Sequence, residues 1–172
     1  MEHARLIWCH GSLSRPWGGK STALAAVAEK AGLAMEGPDF RDLDDPDQRV
    51  ERLREMLGDS DGPVLLAGSS MGGYVAAAAA SAGPAEVRGL FLLAPAFYLS
   101  GYAVHDFSRL PKTVEVVHGW DDDEVPPENS IRFARFHGAR LHLLPDGHRL
   151  LASLDDLTGL FARFLARAGG VQ

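Results

Sequence analysis

Ten consecutive residues constrain this chain more than any others: Leu65-Leu66-Ala67-Gly68-Ser69-Ser70-Met71-Gly72-Gly73-Tyr74. An apolar run from Val64 to Ala67 stops at a glycine and two serines, and the small-residue run Val75 to Ala80 follows at once. That order reads as a buried strand, a very tight turn and an immediate helix. Gly68-x-Ser70-x-Gly72 has the spacing of a nucleophile elbow, in which a serine sits on a strained strand-to-helix turn. The residues two before and two after such a serine approach so closely that side chains would collide, which accounts for both glycines. Ser70, between the glycines, is the candidate nucleophile, and Ser69 is the variable position before it.

Strand and helix signals alternate along the rest of the chain. Apolar runs at Leu6–Cys9, Val64–Ala67, Gly89–Ala94, Thr113–His118 and Leu141–Leu144 predict strands, and Leu33–Phe40, interrupted by Gly37-Pro38, predicts a weaker one. Helical spacing appears over Lys20–Ala31, Asp44–Gly58, Met71–Ser81, Asn129–Phe136 and Leu150–Ala168. Strands that are continuously apolar must be covered on both faces. The expected fold class is therefore α/β: a three-layer α/β/α sandwich around a mostly parallel sheet of about six strands. The segment 95–112 breaks the rhythm and carries Phe97, Tyr98, Tyr102 and Phe107. Such an aromatic loop is either satellite core or a short cap over a site.

With 172 residues, the chain has room for one domain, read here as 1–172, and not for two. A net charge of −6 with no basic stripe argues against nucleic acid or an anionic membrane as the main partner. The longest apolar stretch, Tyr74–Ala82, is too short to span a bilayer. Cys9 is the single cysteine, which rules out an internal disulfide and suits a reducing compartment. With no leader pattern before Leu6, a cytoplasmic monomer or homodimer is expected.

In an open parallel sheet, chemistry gathers in loops at the carboxyl ends of the strands. Four such loops carry reactive residues here: His10-Gly11-Ser12-Leu13, the serine turn, His118-Gly119-Trp120-Asp121-Asp122-Asp123-Glu124-Val125-Pro126, and Pro145-Asp146-Gly147-His148. The chain order is serine, acid, histidine. With these motifs the sequence resembles the α/β-hydrolase superfamily, and within it small, compact bacterial serine esterases with a minimal cap.

The resemblance implies Ser70 as nucleophile, His148 as general base and Asp122, three residues before Val125-Pro126, as the acid that orients the histidine. It implies an oxyanion hole from the backbone N–H of Met71 and of Ser12, with Leu13 as the substitute for the latter. Leu13, Trp17, Phe97, Tyr98 and Trp120 are candidate substrate-binding residues, plain packing being the alternative for the aromatic ones. The implied activity is hydrolysis of small carboxylic esters or thioesters through an acyl-enzyme, with a small-molecule acyl substrate as partner and no cofactor. A non-catalytic binding or regulatory protein on the same fold is the alternative, as is acyl transfer or amide hydrolysis by the same residues.

The remaining signals read as structural. His10 and His118 begin His-Gly turns, His137 ends a helix, and His142 lies between leucines in a strand. No histidine pair has metal-ligand spacing, so no metal site is expected. Gly18-Gly19-Lys20-Ser21 invites a phosphate-loop reading, but the glycine required five positions before Gly19 is Ser14.

Overall fold

The computed structural model describes residues 4–58, 60, 62–83 and 85–169. Its elements run β1 (Arg5–Cys9), α1 (Gly19–Lys30), β2 (Met35–Glu36), α2 (Pro46–Gly58), β3 (Val64–Ser69), α3 (Met71–Ala82), β4 (Val87–Leu93), β5 (Thr113–Gly119), α4 (Pro127–His137), β6 (Arg140–Leu144) and α5 (Leu154–Ala168). The six strands form one sheet in the order β2-β1-β3-β4-β5-β6, every neighbouring pair parallel. The expected fold class is the observed one.

Alternation along the strands divides the apolar residues between two cores. Ile7, Leu66, Leu90, Leu92 and Val116 face α2, α3 and α4, whereas Leu6, Trp8, Leu65, Phe91 and Val117 face α1 and α5. Helix α3 is buried from Met71 to Ser81, and its alanines let it lie close on the sheet and against α2. On the other face, α5 presents Leu157, Leu160, Phe161, Phe164 and Leu165 to the core at helical spacing.

Two elements are shorter than the sequence suggests. The expected Leu33–Phe40 strand pairs with β1 only at Met35 and Glu36. Beyond them Gly37 lies under the Trp17 indole, and Pro38 has no N–H to give to a ladder. The C-terminal helix begins at Leu154 and not at Leu150, because Leu150 takes φ 53° and turns the chain. Ser153 is tied by its N–H to Asp146 Oδ2 at 2.9 Å.

The aromatic segment 95–112 covers α3 and α4. Phe97 stacks on Phe133 with ring centroids 4.2 Å apart, and Phe107 packs edge-on to both Phe133 and Tyr74. Polar pins hold the backbone: Ala103 N–H donates to Asp47, Val104 N–H to the Tyr74 hydroxyl, and Asn129 Nδ2 to the Phe97 carbonyl. This segment is satellite core. No helix among the described residues is long and apolar enough to cross a membrane.

Candidate active site

The strand order changes direction between β1 and β3, with β2 built outward on one side and β4 on the other. Crevices at the carboxyl ends of strands form at such a switch point. A cavity of about 500 Å³ lies there, lined by Gly11–Arg15 after β1, Ser69 and Ser70 after β3, Gly18–Ser21 at the start of α1, and Glu124, His148, Arg149 and Leu151.

Ser70 stands between β3 and α3 with φ 55° and ψ −121°, a conformation unfavourable for any residue with a side chain. Four backbone bonds hold it there. Its N–H donates to the Leu93 carbonyl, and its own carbonyl accepts from Gly73, Tyr74 and Ala96. The flanking glycines are required sterically. A Cβ on Gly68 would lie 2.3 Å from the Gly72 carbonyl oxygen, and one on Gly72 would lie 1.9 Å from that of Cys9. The second contact is with the end of β1, so the turn is wedged between α3 and two strands.

Of the three adjacent aspartates only Asp122 is buried, and its Oδ2 lies 2.7 Å from His148 Nδ1. Its Oδ1 accepts the N–H groups of Glu124 (2.9 Å) and Val125 (2.8 Å), while His118 Nε2 lies 2.8 Å from Oδ2. Burial alone would raise the Asp122 carboxyl, but bonds from Val125, His148 and Glu124 outweigh it and hold the group below its ordinary value. An ionised Asp122 accepts the Nδ1–H of His148, which leaves the lone pair on Nε2. Ser70 and His148 line the same cavity, and the Ser70 hydroxyl has no hydrogen-bond partner among the described residues. In unliganded enzymes the nucleophile–base bond is commonly long and tightens with substrate.

His118 is fully buried, and its tautomer follows from its partners. Nε2 faces two acceptors, Asp122 Oδ2 and the Val125 carbonyl at 3.0 Å, so Nε2 carries the proton. Nδ1 then accepts from the Ser130 hydroxyl at 2.7 Å. Burial holds its pKa below the ordinary histidine value, against the pull of Val125 and Asp122. Gly119 beside it is another enforced glycine, since a Cβ there would lie 2.1 Å from the Asp146 carbonyl. That close approach packs the acid-bearing loop onto the loop that carries His148.

The loop after β1 is locked from behind. The Gly11 carbonyl faces three donors: His10 Nδ1 at 2.8 Å, Arg49 Nη1 at 3.3 Å and the Ser14 hydroxyl at 3.3 Å. His10 Nε2 accepts the Phe40 N–H, so Nδ1 is the protonated nitrogen. Because a trans peptide points its N–H opposite its carbonyl, the Ser12 N–H is directed away from Arg49. Among the described residues neither that N–H nor the Met71 N–H is spent on another partner. Arg49, 1% exposed, was not legible as a site support; on a helix between acidic residues it reads as one more surface charge.

Several candidate substrate contacts fall elsewhere. Phe97 is fully buried in the α4 face and cannot meet substrate. Tyr98 lies beneath Arg132, whose guanidinium carbon is 4.0 Å from the ring centroid. Trp17 packs over Gly37, and Trp120 is 56% exposed; neither lines the cavity. No residue of 95–112 lines it, so that segment is not its cap. Leu13 does line it and is fully exposed on the rim. Lys20, dismissed as part of a failed phosphate loop, lines it too and donates from Nζ to the Ser69 hydroxyl at 3.0 Å. No group of three or more potential metal ligands occurs among the described residues.

Residues 19–120, more than half of the chain, match the family model described as serine aminopeptidase S33. A Xanthomonas campestris pv. campestris protein placed in the α/β-hydrolase superfamily is 38% identical, covering 95% of this chain and 99% of its own, with a TM-score of 0.87. Est1E from Butyrivibrio proteoclasticus (19% identity, 99% of this chain, 90% of its own, TM-score 0.82) has the same fold. So does the Pyrococcus furiosus esterase Pf2001 (17% identity, 96% and 83%, TM-score 0.82). No curated protein sequence matches. The strained serine turn and the serine–acid–histidine order thus sit on a known scaffold, and the chain belongs to the α/β-hydrolase family that the serine aminopeptidase S33 model describes.

Proposed function

We propose that this hydrolase cleaves small carboxylic esters or thioesters through Ser70, His148 and Asp122. The observation that carries the reading is the strained Ser70 turn opening on the same cavity as His148, whose Nδ1 is held by the buried Asp122. Ser70 Oγ attacks the carbonyl carbon as His148 Nε2 takes the hydroxyl proton. The oxyanion of the tetrahedral intermediate accepts the N–H groups of Met71, at the start of α3, and Ser12. Collapse breaks the bond to the leaving alkoxide or thiolate, which takes the proton from His148. Water, deprotonated by the same nitrogen, then releases the acid and returns Ser70. Asp122 stays ionised throughout and stabilises the imidazolium.

Nothing in this sequence of steps calls for a metal or organic cofactor. The test is hydrolysis of 4-nitrophenyl acetate and butyrate by the wild type, Ser70→Ala and His148→Ala. Each variant is expected to lose on the order of 10³-fold or more in kcat. Equal rates in all three proteins would overturn the reading.

A further inference from the structure

The cavity beside Ser70 carries more positive charge than ester hydrolysis requires. Lys20, Arg15 and Arg149 line it against one carboxylate, that of Glu124, whose side chain is 65% exposed. This occurs in a chain of net charge −6. Among the described residues no carboxylate lies within 4 Å of Lys20 Nζ, and the hydroxyl of Ser69, the residue before the nucleophile, is its one hydrogen-bond partner. Burial lowers this ammonium to about 8, with repulsion from Arg149 adding to the effect, against the attraction of Asp146, Asp122 and Glu124.

The backbone adds donors in the same place. Helix α1 opens into the cavity through Gly18, Gly19, Lys20 and Ser21, with no acidic residue in its first turn. The Gly18 N–H is taken by the Ser21 hydroxyl at 2.8 Å. Those of Gly19 and Lys20 have no acceptor among the described residues. Trp8, 3% exposed, forms part of the wall. Free helix-start N–H groups, an ammonium with no carboxylate in contact and two guanidinium groups together favour an anion. A neutral acyl chain placed there would strip water from Lys20 and offer nothing in exchange.

We infer that this cavity selects substrates bearing a carboxylate a few bonds from the scissile carbonyl, such as hemiesters of short dicarboxylic acids, with that carboxylate on Lys20 Nζ and the first turn of α1. The inference rests on the hydrolase reading above and names the substrate class for it. Lys20 is then a specificity residue, and the failed phosphate-loop stretch is an anion site of another kind.

The test compares kcat/KM at pH 7 for three esters: monoethyl succinate, its uncharged isostere ethyl 4-methylpentanoate, and butanoyloxyacetate, which carries the carboxylate in the alcohol half. One of the anionic esters is expected to exceed the isostere by roughly tenfold or more, and the better of the two shows which half the site holds. In Lys20→Met that ratio should collapse towards one, and Arg149→Gln should lower it less. Should Lys20→Met fail to fold, the wild-type ratio and Arg149→Gln still decide. An isostere turned over as well as both anionic esters would overturn the inference. Calorimetric titration of Ser70→Ala with succinate reads the anion site without turnover. Binding there that is lost in the Ser70→Ala/Lys20→Met double variant supports the site even if no ester is hydrolysed. Ester hydrolysis with neither succinate binding nor anionic preference sinks the site alone.

Discussion

His118 Nε2 lies 2.8 Å from Asp122 Oδ2, the same oxygen that His148 Nδ1 reaches at 2.7 Å. With the N–H groups of Glu124 and Val125 on Oδ1, the carboxylate is held by four donors and has no freedom to turn away from His148. In the proposed mechanism His118 therefore serves as a positioning residue that acts through Asp122. Losing a hydrogen bond to a charged group costs about 1.5–3 kcal/mol. His118→Leu is accordingly predicted to lower kcat by roughly ten- to a hundredfold, with little change in KM. His118→Gln, which keeps a side-chain donor, should recover part of the loss. Steady-state kinetics on the three proteins checks this, and a loss confined to KM would contradict it.

The same burial makes stability depend on pH. His118, His10 and His137 are all held below the ordinary histidine value, chiefly by burial. Below about pH 6.5 the unfolded chain binds protons that the folded chain refuses. Their contribution is thus complete above about pH 6.5 and is lost as the pH falls through the folded values. Asp122, also depressed, acts in the same direction only in the carboxylate range. Urea unfolding should give a midpoint that falls between pH 7.5 and pH 5, with a shallower fall in His118→Gln. A midpoint that is flat or rises on acidification contradicts this account.

The serine turn should tolerate no added atom. Gly72→Ala places a methyl 1.9 Å from the Cys9 carbonyl, and backbone on both sides has nowhere to go. A loss of about 3 kcal/mol or more is predicted from urea unfolding. Gly58, at the end of α2, has nothing within 4 Å of its would-be Cβ. Gly58→Ala should change stability by about 1 kcal/mol or less. Equal stability of the two variants would mean that the close packing of β1 on α3 is wrong.

What was legible in the sequence was whatever short-range pattern determines. Continuous apolar runs such as Leu90–Leu93 require cover on two faces, so the parallel sheet followed, and Gly-x-Ser-x-Gly is a local steric statement. Residues 95–112 were readable as apolar but not as belonging to α4, because Phe97 meets Phe133 across 36 positions of chain, and only the fold brings them together. The positive φ values of Ala94, Tyr98 and Leu150 have no signature in residues that normally avoid them. Arg49 and Lys20 were opaque for a related reason. A cation on a helix reads as solvated unless its carbonyls or its cavity, contributed by distant segments, are already known.

The most direct measurement is the site of covalent modification by a fluorophosphonate. The protein is treated at pH 7.5, digested, and the modified residue mapped by mass spectrometry in the wild type, His148→Ala and Asp122→Asn. Stoichiometric labelling of Ser70 in the wild type, slowed by orders of magnitude in both variants, is the predicted result. No labelling of Ser70, or labelling at the same rate without His148, would contradict the account.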